Sequence, residues 1–129
     1  MANQFVVQLH NDPGAMATLA EALAARGVDL RAIGGGGIGN AGHVIMTTAD
    51  DDATRAVRDA GGYVYVEGES ILAEVDDRPG GMARLSRALA DAGVNIYGHL
   101  FLGRWGDRAM FAFVVDRPDL ARPILERKG

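Results

Sequence analysis

The strongest constraint on what this chain can fold into is that it is written twice. Residues 13–28 read PGAMATLAEALAARGV, and residues 79–94, displaced by 66 positions, read PGGMARLSRALADAGV. Ten of the 16 positions are identical. The paired Pro-Gly, Met, Leu, Leu and Gly-Val argue against two alanine-rich helices alike only in composition. The register continues without a gap, setting Asp29 against Asn95, Leu30 against Ile96, Gly37 against Gly103 and Asp50 against Asp116. Self-similarity of this kind means one supersecondary unit used twice.

Each unit reads as alternating short strands and helices. Residues 4–9 (QFVVQL) are β-prone and apolar, a strand. Asn11-Asp12-Pro13-Gly14 is turn chemistry, with Asp12 expected to cap a helix and Pro13 suited to its first turn. Met16, Leu19, Ala20 and Leu23 recur at helical spacing, and Gly27 ends the helix. A second strand is expected over 28–33, and Gly34–Gly37, Gly39 and Gly42 read as a flexible connection. Residues 43–49 form a third strand. Asp50-Asp51-Asp52 caps a helix to about Ala60, Gly61-Gly62 stops it, and residues 63–66 form a fourth strand. The order is βαββαβ, the ferredoxin-like arrangement, α+β in class, with helices on one face of an antiparallel sheet.

The second copy repeats this with strands at 71–76, 94–102 and 109–115 and a helix at 80–92. It then weakens. Residues 116–125 can be a helix, but Pro123 would remove a backbone hydrogen bond and clash. No counterpart of 63–66 follows, so the second unit is expected to lack its last strand and leave 71–76 as an open edge. The expected units are 1–67 and 70–129, joined by a linker too short for independent domains, so the copies are expected to pack together.

At 48% apolar residues the chain can bury a real core. No apolar run reaches a membrane span, and no basic-then-apolar leader with a cleavage site is visible. A net charge of −4 with scattered Lys and Arg argues against nucleic acid. Cysteine is absent, which excludes disulfides, thiol catalysis and cysteine-based zinc sites. The expectation is a cytoplasmic protein with no cofactor.

A strand, then N-D-P-G or D-R-P-G, then a Met/Leu-patterned helix leaving through G-V-D-L or G-V-N-I, resembles the ACT domain over nearly the whole chain, as two tandem copies. The resemblance implies a stand-alone regulatory protein that binds an amino acid, with paired units and ligands at the interface between them. Physical chemistry points the same way. A helix N-terminus presents unpaired N–H groups and partial positive charge, a ready anion site. A carboxylate fits on Gly14, Ala15 and Met16, or on Gly80, Gly81 and Met82. Asn11, Asp12, Asp77 and Arg78 flank the two mouths, and Asp29 and Asn95 enter the following strands. Serine-sensing members of the family carry Asn where Asn11 and Asn95 stand. Asp77 and Asp29 replace it in the other copy, and a family His is Leu9 here and Val75 in the second unit. Residues 11–16 with Asp29, and residues 77–82 with Asn95, are therefore the expected sites, each borrowing wall residues from its partner copy.

Plainer readings exist for the same residues. Asn11, Asp12 and Asp77 are common turn and capping residues. Met16 and Met82 fit a core, with only their N–H groups functional. Asp29 and Asn95 fit solvated strand positions. Gly34, Gly36 and Gly39 match G-x-G-x-x-G, but a strand follows instead of the helix that a dinucleotide site needs. His10, His43 and His99 show no metal-ligand spacing, and Asp50–Asp52 lacks the ligand alternation of a calcium loop. Around strands two and three the second copy is bulky (Tyr97, His99, Phe101, Trp105) where the first is Gly-rich.

Three functions compete: a non-enzymatic amino-acid-binding regulator, an interaction module that homo-oligomerises or docks on a metabolic enzyme, and a small enzyme, for which no catalytic constellation is apparent. If one mouth works, the Gly-rich first copy is favoured.

Overall fold

Apolar alternation builds the first sheet. The computed structural model describes residues 3–126, and the outermost residues of the two expected units lie outside that range. The chain divides into two compact units, Met1–Gly68 and Glu69–Gly129.

In the first unit, β1 (Asn3–His10) buries Phe5 and Val7. These meet Leu19 and Leu23 of α1 (Ala15–Ala25), one helical turn apart. Val44 and Met46 of β3 (Ala41–Thr48) and Val57 of α2 (Asp51–Ala60) complete the core. With β2 (Leu30–Ile38) and β4 (Tyr65–Glu69), the sheet runs β2-β3-β1-β4. The second unit builds the same layers from β5 (Ile71–Asp76), α3 (Gly81–Asp91), β6 (Ile96–Trp105), β7 (Arg108–Val115) and α4 (Pro118–Leu125). Its sheet stops at three strands, β5-β7-β6. Both units are ferredoxin-like, and among the described residues the second has no last strand, so that β5 lies at an edge of its sheet. Among the described residues no helix is long and apolar enough to cross a membrane.

Several boundaries differ from the sequence reading. Gly34–Gly37 are not a flexible connection but the body of β2. A Cβ on Gly35 would lie 2.4 Å from the His43 carbonyl oxygen, so glycine is what lets β2 close on β3 there. The turn is the two-residue Gly39-Asn40, with Gly39 at φ 60°. Gly106-Asp107 repeats it between β6 and β7, with Gly106 at φ 62°. The fourth strand begins at Tyr65 rather than residue 63 and runs to Glu69, leaving Ser70 alone between β4 and β5.

Pro123 lies inside α4. The helix is short, and the one bond forgone falls on the Asp119 carbonyl in its first turn. The repeat register is not gapless either. A bulge at Leu102 inserts one residue into β6, so that Phe101 pairs with Phe111 but Gly103 with Met110. From there on, the copies correspond at a displacement of 67. His10 pairs with Ala41 as Asp76 pairs with Arg108.

Asp50 caps α2 as expected, its side chain accepting from the Ala53 N–H at 3.0 Å. The far end of α2 is fastened to β4 by charge. Glu67 accepts from Arg55 Nε at 2.8 Å, from Arg58 Nη1 at 2.8 Å and from Asn3 Nδ2 at 2.6 Å. Arg58 also lies over the Tyr65 ring, 3.5 Å from its centroid. The Arg55 hydrogen bonds hold the Glu67 carboxyl below its ordinary value; burial opposes them, and Asn3 and Arg58 add to them. Such stability is complete above the unfolded-state pKa and is lost as pH falls through the ordinary glutamate range and then the depressed folded value. Glu67→Gln is expected to cost about 2 kcal/mol at neutral pH. Thermal melts followed by circular dichroism should show a deficit at pH 7 that shrinks below pH ~4.

Candidate functional site

Both Pro-Gly turns share one backbone geometry. Gly14 sits at φ 92°, ψ −13° and Gly80 at φ 91°, ψ −12°, in the left-handed region. Nothing lies within 4 Å of a Cβ built on Gly14. Conformation, not space, requires glycine there. Gly14 and Gly80 are the N-cap residues, and no side chain caps α1 or α3. The expected Asp12 cap is therefore not formed. Asp12 stands two residues before the N-cap, off the position whose side chain reaches the first turn. Its carbonyl accepts from Ala15 at 3.4 Å, as that of Arg78 does from Gly81 at 3.1 Å. Among the described residues the N–H groups of Met16 and Ala17, and of Met82 and Ala83, remain unpaired.

A second repeated device ties each turn to the neighbouring hairpin. Asn11 N–H donates to the Asn40 carbonyl at 3.1 Å, and Asp77 N–H to that of Asp107 at 2.8 Å. The side chains then diverge. Asn11 Nδ2 donates to the Gly39 carbonyl at 2.8 Å, over Gly37, where a Cβ would lie 2.5 Å from Asn11 Oδ1. In the second unit the place of Gly37 is held by Arg104, whose Nε donates to Asp77 Oδ2 at 2.8 Å.

The second mouth is filled by its own charges. Asp76 pairs with Arg108, and with Arg84 and Arg78, each at 3.3 Å. Arg108 also approaches Glu74 at 3.8 Å. The four arginines Arg78, Arg84, Arg104 and Arg108 correspond to Asp12, Thr18, Gly37 and Ala41. The first mouth therefore has no such network. The Asp12 carboxylate makes no hydrogen bond or ion pair among the described residues.

The hollow on the helix side follows this difference, and the one on the hairpin side does not. On the hairpin side of the first mouth, a hollow of about 310 Å³ is lined by Asn11, Asp12, Ala15, Met16 and Gly34–Gly36. On the α2 side, one of about 730 Å³ is lined by Leu9, Asp12, Gly14, Ala15, Thr18, Ala41 and Gly61–Val64. In the second unit the hairpin-side hollow, at Asp77, Arg78 and Met82, measures about 390 Å³. The helix-side hollow shrinks to about 180 Å³ between Gly81, Arg84, Arg108 and Ile124. Gly81 allows that tightness, since a Cβ on it would lie 2.2 Å from the Asp76 carbonyl oxygen.

Asp29 and Asn95 do not join their mouths. Asp29 accepts from Ala49 N–H at 2.9 Å, and Asn95 from Asp116 N–H at 3.1 Å. Leu30 pairs with Thr48 at that end of the sheet, whereas the hairpin turns at Ile38 and Ala41. Seven strand residues separate the ends, about 24 Å. Within a unit, residues 11–16 and Asp29 are therefore not one site, nor are 77–82 and Asn95.

The sequence reading missed Thr18, Tyr63 and Gly61-Gly62 at the first mouth, and Arg84, Arg104 and Arg108 at the second. Hairpin dipeptides Gly39-Asn40 and Gly106-Asp107 were the available signal that would have brought β3 and β7 to the turns.

No protein-family model matches the sequence, and neither does any curated protein. Solved structures do match in fold. A Bacteroides thetaiotaomicron protein superposes with a TM-score of 0.70 at 18% identity, covering 97% of this chain and 86% of that one. The ligand-free regulatory subunit of aspartate kinase from Thermus thermophilus gives 0.61 at 17%, covering 97% and 87%. That of Thermus flavus gives 0.61 at 18%, covering 97% and 90%. The chain thus shares the fold of these proteins, two of which are regulatory subunits of aspartate kinase.

The two kinds of residue at the second mouth should separate in stability measurements. Gly81→Ala forces its Cβ against backbone and is expected to cost about 1–3 kcal/mol. Arg104→Ala removes an exposed ion pair and is expected to cost under about 1 kcal/mol. Urea titrations of the two variants check this ordering.

Proposed function

We propose that the chain is a non-catalytic regulatory protein that binds a free amino acid, or a similar small carboxylate, at the mouth of α1. The carrying observation is the contrast between two mouths of one backbone geometry. Both helix ends are uncapped, but the second mouth's carboxylates are engaged by its own arginines, while the first combines an unengaged Asp12 carboxylate with a hollow of about 730 Å³ on its α2 side. The ligand carboxylate would lie on the N–H groups of Met16 and Ala17, where the helix field favours an anion. Its ammonium group would lie on Asp12. Asn11 holds the hairpin, and Gly14 supplies the turn. The fold likeness to regulatory subunits of aspartate kinase supports a regulatory role, with a metabolic enzyme as the partner to be controlled.

Calorimetry of the chain against the twenty free amino acids is expected to give at least one dissociation constant below millimolar. Asp12→Ala should weaken it about tenfold or more, through loss of a charge-assisted hydrogen bond. Arg104→Ala should leave it unchanged. Absence of binding by all twenty would sink the proposal.

The edge position of β5 favours a second reading, self-association through that strand. Its Leu72 is 45% exposed. Analytical ultracentrifugation is then expected to show a homodimer at micromolar concentration, and a monomer throughout would refute it.

A further inference from the structure

The hollow on the α2 side of the first mouth has a chemistry of its own. Its apolar wall is Leu9, Ala41, Tyr63 and Val64, and Asp12 and Thr18 lie at the α1 end. Tyr63 is half-buried and packs against the first unit's core. Gly61 leaves room for its ring, since a Cβ on Gly61 would lie 2.4 Å from the ring edge. The hollow is therefore lined by an aromatic side chain beside aliphatic ones. At about 730 Å³ it falls in the roughly 300–1,000 Å³ range of pockets that enclose ligands much larger than serine or alanine. The second unit shows how such a hollow closes. Arg84 and Arg108 stand where Thr18 and Ala41 do, Ile124 adds a side chain, and about 180 Å³ is left.

Resting on the proposed amino-acid site, we infer that this hollow receives the ligand's side chain and selects a large apolar one, aromatic above all. With the α-carboxylate at the helix end and the ammonium on Asp12, the ring extends past Thr18 and stacks offset or edge-on against Tyr63. Leu9 and Val64 complete the contact. A short polar side chain leaves the apolar wall wet and gains nothing from it. A lysine or arginine side chain finds no carboxylate in the hollow beyond Asp12, which the ammonium occupies.

The test is calorimetry of the full chain with L-phenylalanine, L-tryptophan, L-leucine, L-alanine, L-serine, L-lysine and L-aspartate, on the natural sequence and on Thr18→Arg. Thr18 is exposed on α1, so this substitution imports the second unit's arginine without touching the core. Phenylalanine or tryptophan is expected to bind at least about 10-fold tighter than alanine or serine. Thr18→Arg is expected to erase that margin, leaving phenylalanine and alanine within about threefold of each other. Equal affinity for serine and phenylalanine would overturn the side-chain assignment and leave the amino-acid site standing. An aromatic preference that survives Thr18→Arg would overturn its placement in this hollow. No binding by any of the seven would refute the inference and count against the amino-acid site itself.

Discussion

The structure depends on one backbone constraint, a glycine in the left-handed region between the first strand of each unit and its first helix. Gly14 and Gly80 agree within a degree in both φ and ψ. This conformation lets the chain leave the end of a strand and fold back at once as a helix over the same sheet. An L side chain there pays steric energy. The same constraint leaves the helix end uncapped, because glycine occupies the N-cap and offers no side-chain oxygen. Fold and site chemistry therefore arise at one residue: the turn that packs α1 on Phe5 and Val7 also exposes unpaired N–H groups.

The units diverge in how they treat that exposed end. In the second, charge is compensated internally, with Asp76 among three arginines and Asp77 on Arg104. Gly81 draws α3 close to β5, and Ile124 of α4 closes the remaining space. In the first, Thr18, Gly37 and Ala41 stand at those places, and Ala15 replaces Gly81. The two copies share a backbone, and the substitutions on it leave one mouth narrowed on its helix side and the other wide there.

Much of the fold was legible in the chain. The repeated Pro-Gly and Gly-Val bracketed α1 and α3, and Asp50 marked α2. What misled was glycine, read as flexibility in β2. Gly35 and Gly37 are there because β3 and the Asn11 side chain come too close for a Cβ, and that proximity is a tertiary fact. The bulge at Leu102 was equally silent in the aligned letters, since inserting one residue into a strand changes pairing without changing composition. The site was half legible. Residues 11–16 and 77–82 gather at the mouths, while Asp29 and Asn95 fall at the other end of their sheets, because a strand entered after a descending helix begins at the far side.

By itself the sequence determined two copies of one α+β unit and the glycine at each helix mouth. These follow from local requirements: a positive φ, and helical and strand periodicity. Tertiary structure decided which mouth is open on its helix side. The arginines that close the second one come from α3, the hairpin and the turn itself, far apart in the chain, and no local pattern announces that they meet on Asp76 and Asp77. It also decided that Tyr63, some fifty residues after the Pro-Gly turn, faces the same hollow as Asp12 and Thr18. The sheet brings the ends of β1 and α2 together, and through-space proximity is what a linear reading lacks.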